Sequence, residues 1–293
     1  MAFPEMQSGG SHFAASIDRL AAMDFFGALE MGAVAAPADR AAVRKAAEKH
    51  GLKIAVGVQP VILGEGIDLN SADTDARIAA VRRLTALIDR SAEMDAGAFV
   101  ILSGKDPGDQ NRGAAYLRLK DSVERLAEHS GRLGIDTVLE IFDRSVEKKA
   151  LVGPAQEAAD FADSVRIARA ARPAFGLLYD MGHMPLLGET PHTALPILAP
   201  HLVEVHLGNC VLDPESPIYG DKHPRFGYPG GIAGVAELVA FLRELFAVGF
   251  LREEVDGDPR PWVGFEVRPQ AGETTEDILA NIQTTWEAAW RQL

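Results

Sequence analysis

Four side chains with metal-binding chemistry each end a short apolar run of the sequence. In each run the polar residue comes last, and the four residues are Glu140, Asp180, His206 and Glu266. A charged group at the end of an apolar segment is costly to desolvate without a partner, and three carboxylates brought together repel one another. A bound cation relieves that repulsion. The sequence therefore predicts a divalent-metal site.

The predicted donor set also indicates which cation to expect. Three carboxylates and one imidazole suit Mn²⁺, with Mg²⁺ or Co²⁺ as alternatives, better than structural Zn²⁺, which prefers thiolate and imidazole. Any one of these residues alone is equally explained as a helix N-cap, an ion-pair partner or a solvated strand end. Their joint occurrence on successive strands favours the metal site.

The apolar runs alternate with long helical patterns, which is typical of repeated strand–helix units. Seven strands are legible, at residues 27–31, 52–58, 98–103, 137–141, 175–180, 202–207 and 262–267. Such alternation favours parallel strands joined by crossover helices. We predict an α/β fold, a (β/α)8 TIM-type barrel that forms a single domain over residues 1–293. The four polar residues then lie at the carboxyl ends of strands, where such barrels carry their active sites.

The beginning of the predicted barrel is its weakest part. An eighth strand should precede the helix at residues 16–23, but residues 8–13 have little β-branching. We therefore expect an irregular or shortened first strand. Two alternatives stay open: the N-terminus closes the barrel in another way, or the sheet is open and doubly wound.

The charge, the apolar runs and the cysteine count of the sequence limit the partners and the cellular location to be expected. The 293 residues carry a formal charge of −13, which opposes binding to nucleic acid, and no apolar run approaches the ~20 residues of a bilayer span. Cys210 is the only cysteine, so an intramolecular disulfide is impossible, and the first residues lack a secretory signal. We expect a cytoplasmic protein without nucleic-acid or membrane partners.

The motifs around the four residues resemble the xylose-isomerase-like superfamily over residues 25–290. They are Leu-Glu-Ile-Phe-Asp-Arg at 139–144, Tyr-Asp-Met-Gly-His at 179–183, Glu-Val-His at 204–206 and Phe-Glu-Val at 265–267. The ketose 3-epimerases are the nearest branch. The resemblance implies one divalent metal on the four residues, with Glu140 and Glu266 as the acid/base pair on opposite faces of a keto-sugar. The expected reaction is isomerisation or epimerisation by removal of a proton α to the carbonyl.

Two further residues have candidate substrate roles. His183 stands three residues after Asp180, the spacing at which the family has a histidine that contacts a substrate oxygen; the alternative is a histidine that faces solvent in a loop. Arg268 lies two residues past Glu266, on the same strand face, and contacts either substrate or Glu266 itself.

The sequence departs from the epimerase pattern after His206. Epimerases usually have an arginine where this chain has Leu212, and a long loop follows at residues 213–231. Such loops are often lids or binding elements, although a surface loop or an oligomer contact is the alternative. As a substrate element it would supply polar contacts and stacking surfaces, from Lys222, His223, Arg225, Tyr219, Phe226 and Tyr228. The loop also resembles that of the α subunit of bacterial C-glycoside deglycosidases.

That second resemblance keeps a lyase open as the alternative function. After proton removal a group at the β carbon can leave, as in a C-glycoside deglycosidase acting on 3-keto-glycosides or a keto-inositol dehydratase. The expected partners are a small sugar or glycoside substrate, with a homo-oligomer or a β-type partner subunit both possible. An apurinic-site endonuclease would need more histidines for its zinc cluster, and a non-catalytic regulator would not need four ligands.

Overall fold

The computed structural model describes residues 1–167, 175–253 and 261–293. The chain divides into two compact units. The N-terminal unit comprises Pro4–Glu140 and Asp163–Gly176, and the C-terminal unit comprises Met1–Phe3, Ile141–Ala162 and Leu177–Leu293. The single-domain organisation stays a prediction.

The strands of the described residues occur where the sequence predicted them. They are β1 Ala28–Gly32, β2 Lys53–Gly57, β3 Ala96–Leu102, β4 Asp136–Glu140, β5 Phe175–Asp180, β6 Leu202–Gly208 and β7 Trp262–Glu266.

Helices follow the strands in regular alternation. They are α1 Ser11–Ala21, α2 Pro37–His50, α3 Gln59–Glu65, α4 Thr74–Ala92, α5 Asp109–Arg132, α6 Ala155–Ser164, α7 Pro191–Leu198, α8 Val235–Ala247 and α9 Thr275–Trp290. Two short 3₁₀ helices, Pro4–Ser8 and Met184–Leu187, complete the set. None of the described helices is both long and apolar enough to cross a bilayer.

The N-terminal unit contains four parallel strands in sequence order. β1 pairs with β2, β2 with β3, and β3 with β4, where Leu102 lies opposite Glu140. Strands β2 and β3 are almost wholly buried, as expected of parallel strands covered by crossover helices. Helices α4 and α5 pack on each other and supply apolar side chains such as Leu84, Leu119 and Val123 to this core.

The start of the chain is irregular, as predicted. Residues 4–8 form a 3₁₀ helix, and α1 follows directly, so no strand precedes α1 in the described part of the chain. Gly9 and Gly10, with φ of 71° and 62°, separate the two helices in a conformation that strands do not adopt.

The C-terminal unit places three strand ends side by side. β5 pairs with β6 and β6 with β7, all parallel, with Asp180 opposite His206 and Gly208 opposite Glu266. Helix α9 covers this region and begins with a capping box in which Thr274 and Asp277 bond each other's backbone N–H groups. The register therefore brings three of the predicted metal ligands together at the carboxyl ends of neighbouring strands.

Candidate metal centre

Three of the four predicted ligands converge at the ends of β5, β6 and β7. The Nδ1 atom of His206 lies 2.9 Å from Oε2 of Glu266 and 3.8 Å from Oδ2 of Asp180. Asp180 and His206 are buried, whereas 18% of the Glu266 side chain is exposed. One imidazole thus lies between two carboxylates, and Glu266 is the member that solvent or a substrate can reach.

Glu140, the fourth predicted ligand, ends β4 in the N-terminal unit. Its side chain is buried, and Nε2 of Gln59 donates a hydrogen bond of 2.6 Å to its Oε2 atom. Its role as a ligand stays a prediction.

Two glycines make room for the cluster. A Cβ atom at Gly208 would lie 3.0 Å from Oδ1 of Asp180 and 3.3 Å from Nδ1 of His223, and one at Gly264 would lie 2.9 Å from Cδ2 of His206. Real Cβ atoms essentially never approach as closely as one at Gly264 would, and the approaches at Gly208 are tighter than most real Cβ contacts. Glycine at both positions therefore allows the charged side chains to approach the backbone.

The loop after β6 adds a second histidine to the cluster. His223 is 2% exposed, and its Nδ1 atom lies 4.0 Å from Oδ2 of Asp180. Its Nε2 atom lies 2.5 Å from Oδ1 of Asp221 and 3.6 Å from Oε1 of Glu266. Ligand atoms of Asp180, His183, His223 and Glu266 all lie within 4.8 Å of one another. The sequence predicted His223 as a substrate contact and did not predict its place beside Asp180.

Several hydrogen bonds hold this loop inside the C-terminal unit. Val211 forms antiparallel bridges with Gly220 and Gly231. The amide of Asn281 on α9 bonds both the N–H and the C=O of Phe226. The backbone N–H of Arg268 donates to the carbonyl of His223 at 2.9 Å. The loop is therefore tied to the strands and to α9, and the interpretation of it as a mere surface loop is wrong for the part around His223.

A buried charge network supports Asp221. Its Oδ1 atom accepts from both His183 and His223, and its Oδ2 atom lies 2.8 Å from Nζ of Lys148. Glu147 accepts the backbone N–H of Asp221 at 2.9 Å. Lys148 belongs to this network, because only 17% of its side chain is exposed and Asp221 and Glu147 pair with it.

His183 is buried rather than exposed in a loop. Its Nδ1 atom lies 3.1 Å from the carbonyl of Ile141, and its Nε2 atom lies 3.0 Å from Oδ1 of Asp221. Its ring packs on Phe142 with 4.4 Å between centroids. The solvent-facing alternative is therefore wrong, and substrate contact by His183 stays a prediction.

The remaining predicted contacts lie in different surroundings. Arg225 donates to Glu273 at 2.9 Å, and Phe226 is buried, so Phe226 offers no stacking surface to a substrate. Arg268 is exposed and, among the described residues, forms no ion pair with Glu266. Leu212 is 42% exposed. Arg268 is thus the predicted contact whose side chain is most available.

Burial and neighbouring charges shift the pKa values of the cluster in opposite directions. Burial raises the pKa of Asp180 to about 6, against the opposing charges of His183 and His223. Burial would lower the pKa of His223, but the negative charges of Glu266 and Asp221 outweigh it and raise that pKa to about 9. Burial would also raise the pKa of Glu266, but the charge of His223 and the bond from His206 hold it well below its usual range. The neighbouring histidines therefore favour the ionised forms of Asp180 and Glu266.

Two atoms of the cluster fit a cation specifically. Oδ2 of Asp180 and Nδ1 of His223 are buried and have no hydrogen-bond partner among the described residues. Buried polar atoms without partners are rare in native proteins and mark strain, catalysis or an absent ion or water. Carboxylate oxygen and imidazole nitrogen are ligands of Mn²⁺, Co²⁺ and Zn²⁺. The residues present therefore fit a divalent metal.

Thiol chemistry does not contribute here. Cys210 is buried close to the cluster, and burial together with the negative charges of Asp180 and Asp221 raises the pKa of its thiol to about 12. A thiol that holds its proton this strongly is neither a nucleophile nor a ready metal ligand.

Comparison with family models identifies the family of the chain. The family model described as the xylose isomerase-like TIM barrel matches residues 17–278. The chain belongs to this family. Membership confirms the predicted TIM-type barrel class, and the resemblance inferred from the strand-end motifs was correct. The match runs through both units of this xylose isomerase-like protein. Comparison with curated protein sequences gives no match.

Solved structures of similar fold include two proteins named as epimerases and one solved with zinc. D-psicose 3-epimerase from Clostridium cellulolyticum H10 is 19% identical with a TM-score of 0.65, covering 96% of this chain and 91% of that one. The 3-keto-D-glucoside 4-epimerase from E. coli is 14% identical with a TM-score of 0.69, covering 95% of both chains. The IolI protein, solved with a zinc atom, is 14% identical with a TM-score of 0.70, covering 95% and 94%. At these identities the likeness establishes the fold.

Proposed function

We propose that this xylose isomerase-like protein is a divalent-metal-dependent isomerase or epimerase of a keto-sugar or sugar derivative. The observation that carries the proposal is the convergence of Asp180, His206 and Glu266 at the ends of three neighbouring parallel strands. Two of the similar folds are named as sugar epimerases, which supports the same reaction class.

The proposed ligand set comprises Glu140, Asp180, His206 and Glu266, with Mn²⁺ as the expected ion and Mg²⁺ or Co²⁺ as alternatives. A divalent ion held there would polarise the substrate carbonyl and so acidify the neighbouring C–H. Glu140 is included because it ends β4 at the position that the family motif gives to a ligand, and because it is buried.

Glu140 and Glu266 are the proposed acid/base pair. Glu266 suits the role of base because part of its side chain is exposed and can reach a substrate. Nδ1 of His206 lies 2.9 Å from one of its oxygens, which places the carboxylate beside the proposed metal. Glu140, held by Gln59, would serve the opposite face of the substrate.

The substrate contacts proposed are His183, His223, Arg225 and Arg268. Arg268 is the best supported, because its side chain is exposed two residues beyond Glu266. Arg225 and His183 already bond Glu273 and Asp221, so they contact a substrate only by sharing those bonds.

Proton exchange in heavy water tests this proposal. The purified protein with Mn²⁺ is incubated in D₂O with a panel of ketoses and 3-keto-glucosides, and deuterium at the carbon next to the carbonyl is followed by NMR. We expect exchange with at least one substrate, and loss of exchange by about 10²–10⁴-fold in Glu140→Gln and Glu266→Gln. Glu287→Gln, an exposed change on α9, is the matched control. Normal exchange in both site variants would remove the two-carboxylate mechanism.

The same experiment separates epimerisation from elimination. The exposed Leu212, at the position where epimerases usually have an arginine, is the observation that keeps a lyase as the second candidate. Both reactions begin with the same proton transfer and differ in the product. Release of an aglycone or of water from a 3-keto-glycoside or keto-inositol would favour the lyase, and a stereoisomer of the ketose would favour the epimerase.

A further inference from the structure

We infer that His223 is an additional metal ligand, through its Nδ1 atom, and that Asp221 is the positioning residue that orients it. The inference rests on the proposed metal site and extends it with a ligand from the loop after β6. The sequence motifs of the strand ends do not include either residue.

Two histidines of the cluster, His206 and His223, are oriented alike toward Asp180. His206 and His223 each place Nδ1 near the same atom, Oδ2 of Asp180, at 3.8 and 4.0 Å. Each then directs Nε2 toward a buried carboxylate: that of Glu204 at 3.6 Å for His206, and that of Asp221 at 2.5 Å for His223. A histidine that binds a metal through one nitrogen usually donates its other N–H to a carboxylate. His223 fulfils that pattern with a shorter contact than His206.

The separation of the two unpartnered atoms also fits one shared ion. At 4.0 Å, Nδ1 of His223 and Oδ2 of Asp180 are too far apart for a hydrogen bond. Metal bonds to imidazole nitrogen and carboxylate oxygen are each about 2.1 Å long, so two of them span at most about 4.2 Å. Both atoms are buried and without a hydrogen-bond partner among the described residues. A cation between them would satisfy both.

His183 does not compete for this role. Its two ring nitrogens contact the carbonyl of Ile141 and the carboxylate of Asp221, and both of those groups only accept hydrogen bonds. Both nitrogens of His183 therefore act as donors and have no lone pair for a metal. His183 instead helps His223 and Lys148 to fix Asp221.

The backbone at His223 is held in an uncommon conformation. Its φ is 47°, in the left-handed region that residues other than glycine rarely adopt. The N–H of Arg268 bonds the His223 carbonyl and so stabilises this conformation. Residues held in such conformations cluster at functional sites. The strain is consistent with a side chain that must be aimed at one point.

Two imidazole ligands change the expected metal preference. Nitrogen donors favour Mn²⁺, Co²⁺ and Zn²⁺ over Mg²⁺, which prefers oxygen and water. The wild-type protein should therefore discriminate strongly against Mg²⁺, and removal of the His223 imidazole should weaken that discrimination.

Cobalt binding to the metal-free protein tests the inference without reference to activity. The protein is stripped of metal and titrated with Co²⁺ against a fluorescent chelator, and the cobalt form is examined by proton NMR. Each cobalt-bound imidazole contributes one strongly shifted N–H signal that is absent in protein prepared in D₂O. We expect two such signals in the wild type. Only one signal would overturn the inference but leave the metal site intact, whereas failure to bind Co²⁺ would overturn the proposed metal dependence as well.

Matched variants then assign the signals. His223→Gln should retain one shifted N–H and bind Co²⁺ at least about 10²-fold more weakly, and Asp221→Asn should retain two with a loss of about 10–100-fold. His192→Gln, an exposed histidine with 85% of its side chain accessible, should behave as the wild type. Unchanged affinity and two signals in His223→Gln would contradict the assignment. Circular dichroism of the metal-free variants checks folding, and the wild-type spectrum decides the question even if a variant does not fold.

Discussion

Two charged clusters, each built around buried side chains, differ in how completely the polar atoms of those side chains are bonded. In the N-terminal unit, Arg40 is 5% exposed and directs all its guanidinium nitrogens to acceptors. It bonds both oxygens of Glu93, at 2.7 and 3.3 Å, and the carbonyls of Val34 and Ala35. In the C-terminal unit, Asp180 and His223 are equally buried, but each has an atom without a hydrogen-bond partner among the described residues.

The difference separates a structural cluster from a candidate site. A buried charge whose donors are all bonded stabilises the fold once its desolvation is compensated. A buried polar atom without a partner destabilises the fold by about 1–3 kcal/mol unless an ion, water or ligand arrives. Burial alone therefore does not identify function. Between these two clusters, the atoms that lack hydrogen-bond partners distinguish the candidate site from the structural cluster.

The largest expected effect is on the stability of the Arg40 cluster. Arg40→Met should lower the free energy of unfolding by about 2 kcal/mol, because the buried carbonyl of Val34, the carbonyl of Ala35 and Glu93 lose a charged donor. Urea unfolding measures this. Cobalt affinity and proton exchange should stay at wild-type values in the folded protein. Lys45→Met on the same helix is the control. An unchanged unfolding midpoint would show that the bonded cluster is not structural.

The sequence predicted the strands and their ends well, for a local reason. Apolar runs that end in Asp180, His206 or Glu266 are contiguous in the chain, and parallel pairing aligns their ends without further information. The irregular start followed from the same local signals, since residues 8–13 have little β-branching.

The position of His223 could not be predicted in this way. It depends on hydrogen bonds between distant segments, from Arg268 to the His223 carbonyl and from Asn281 to Phe226. Asp221 and its partner Glu147 lie 74 positions apart, so no local pattern revealed that Lys148 would be buried beside them. One signal was available: Asp221 and His223 are two residues apart in a long loop after a predicted ligand strand.

The second prediction concerns the pH dependence of the metal-free protein. Since the pKa of His223 is raised from 6.5 to about 9, the folded state holds this proton more tightly than the unfolded state. The resulting stability is fully present below about pH 6.5 and is lost as the pH rises to about 9, with a total change of at most about 3 kcal/mol. Urea unfolding in chelator across this range measures the slope. His223→Gln should flatten it, and an identical slope in that variant would contradict the assignment.

The smallest predicted effect is a change in the free energy of unfolding, and its sign differs between the two clusters. Asp180→Asn should raise the free energy of unfolding of the metal-free protein by about 1 kcal/mol at pH 7, because burial already disfavours the ionised carboxylate and an amide is less costly to desolvate. Glu93→Gln should lower it, because the charged bond to Arg40 is weakened. With Co²⁺ present the Asp180→Asn gain in stability should disappear, since the wild type then gains binding free energy that the variant lacks.

If both variants lose stability without metal, Asp180 is a structural carboxylate like Glu93. If Asp180→Asn is more stable than the wild type only when metal is absent, the carboxylate serves to bind the ion. The fold then tolerates the desolvation cost of this buried carboxylate because the bound metal compensates for it.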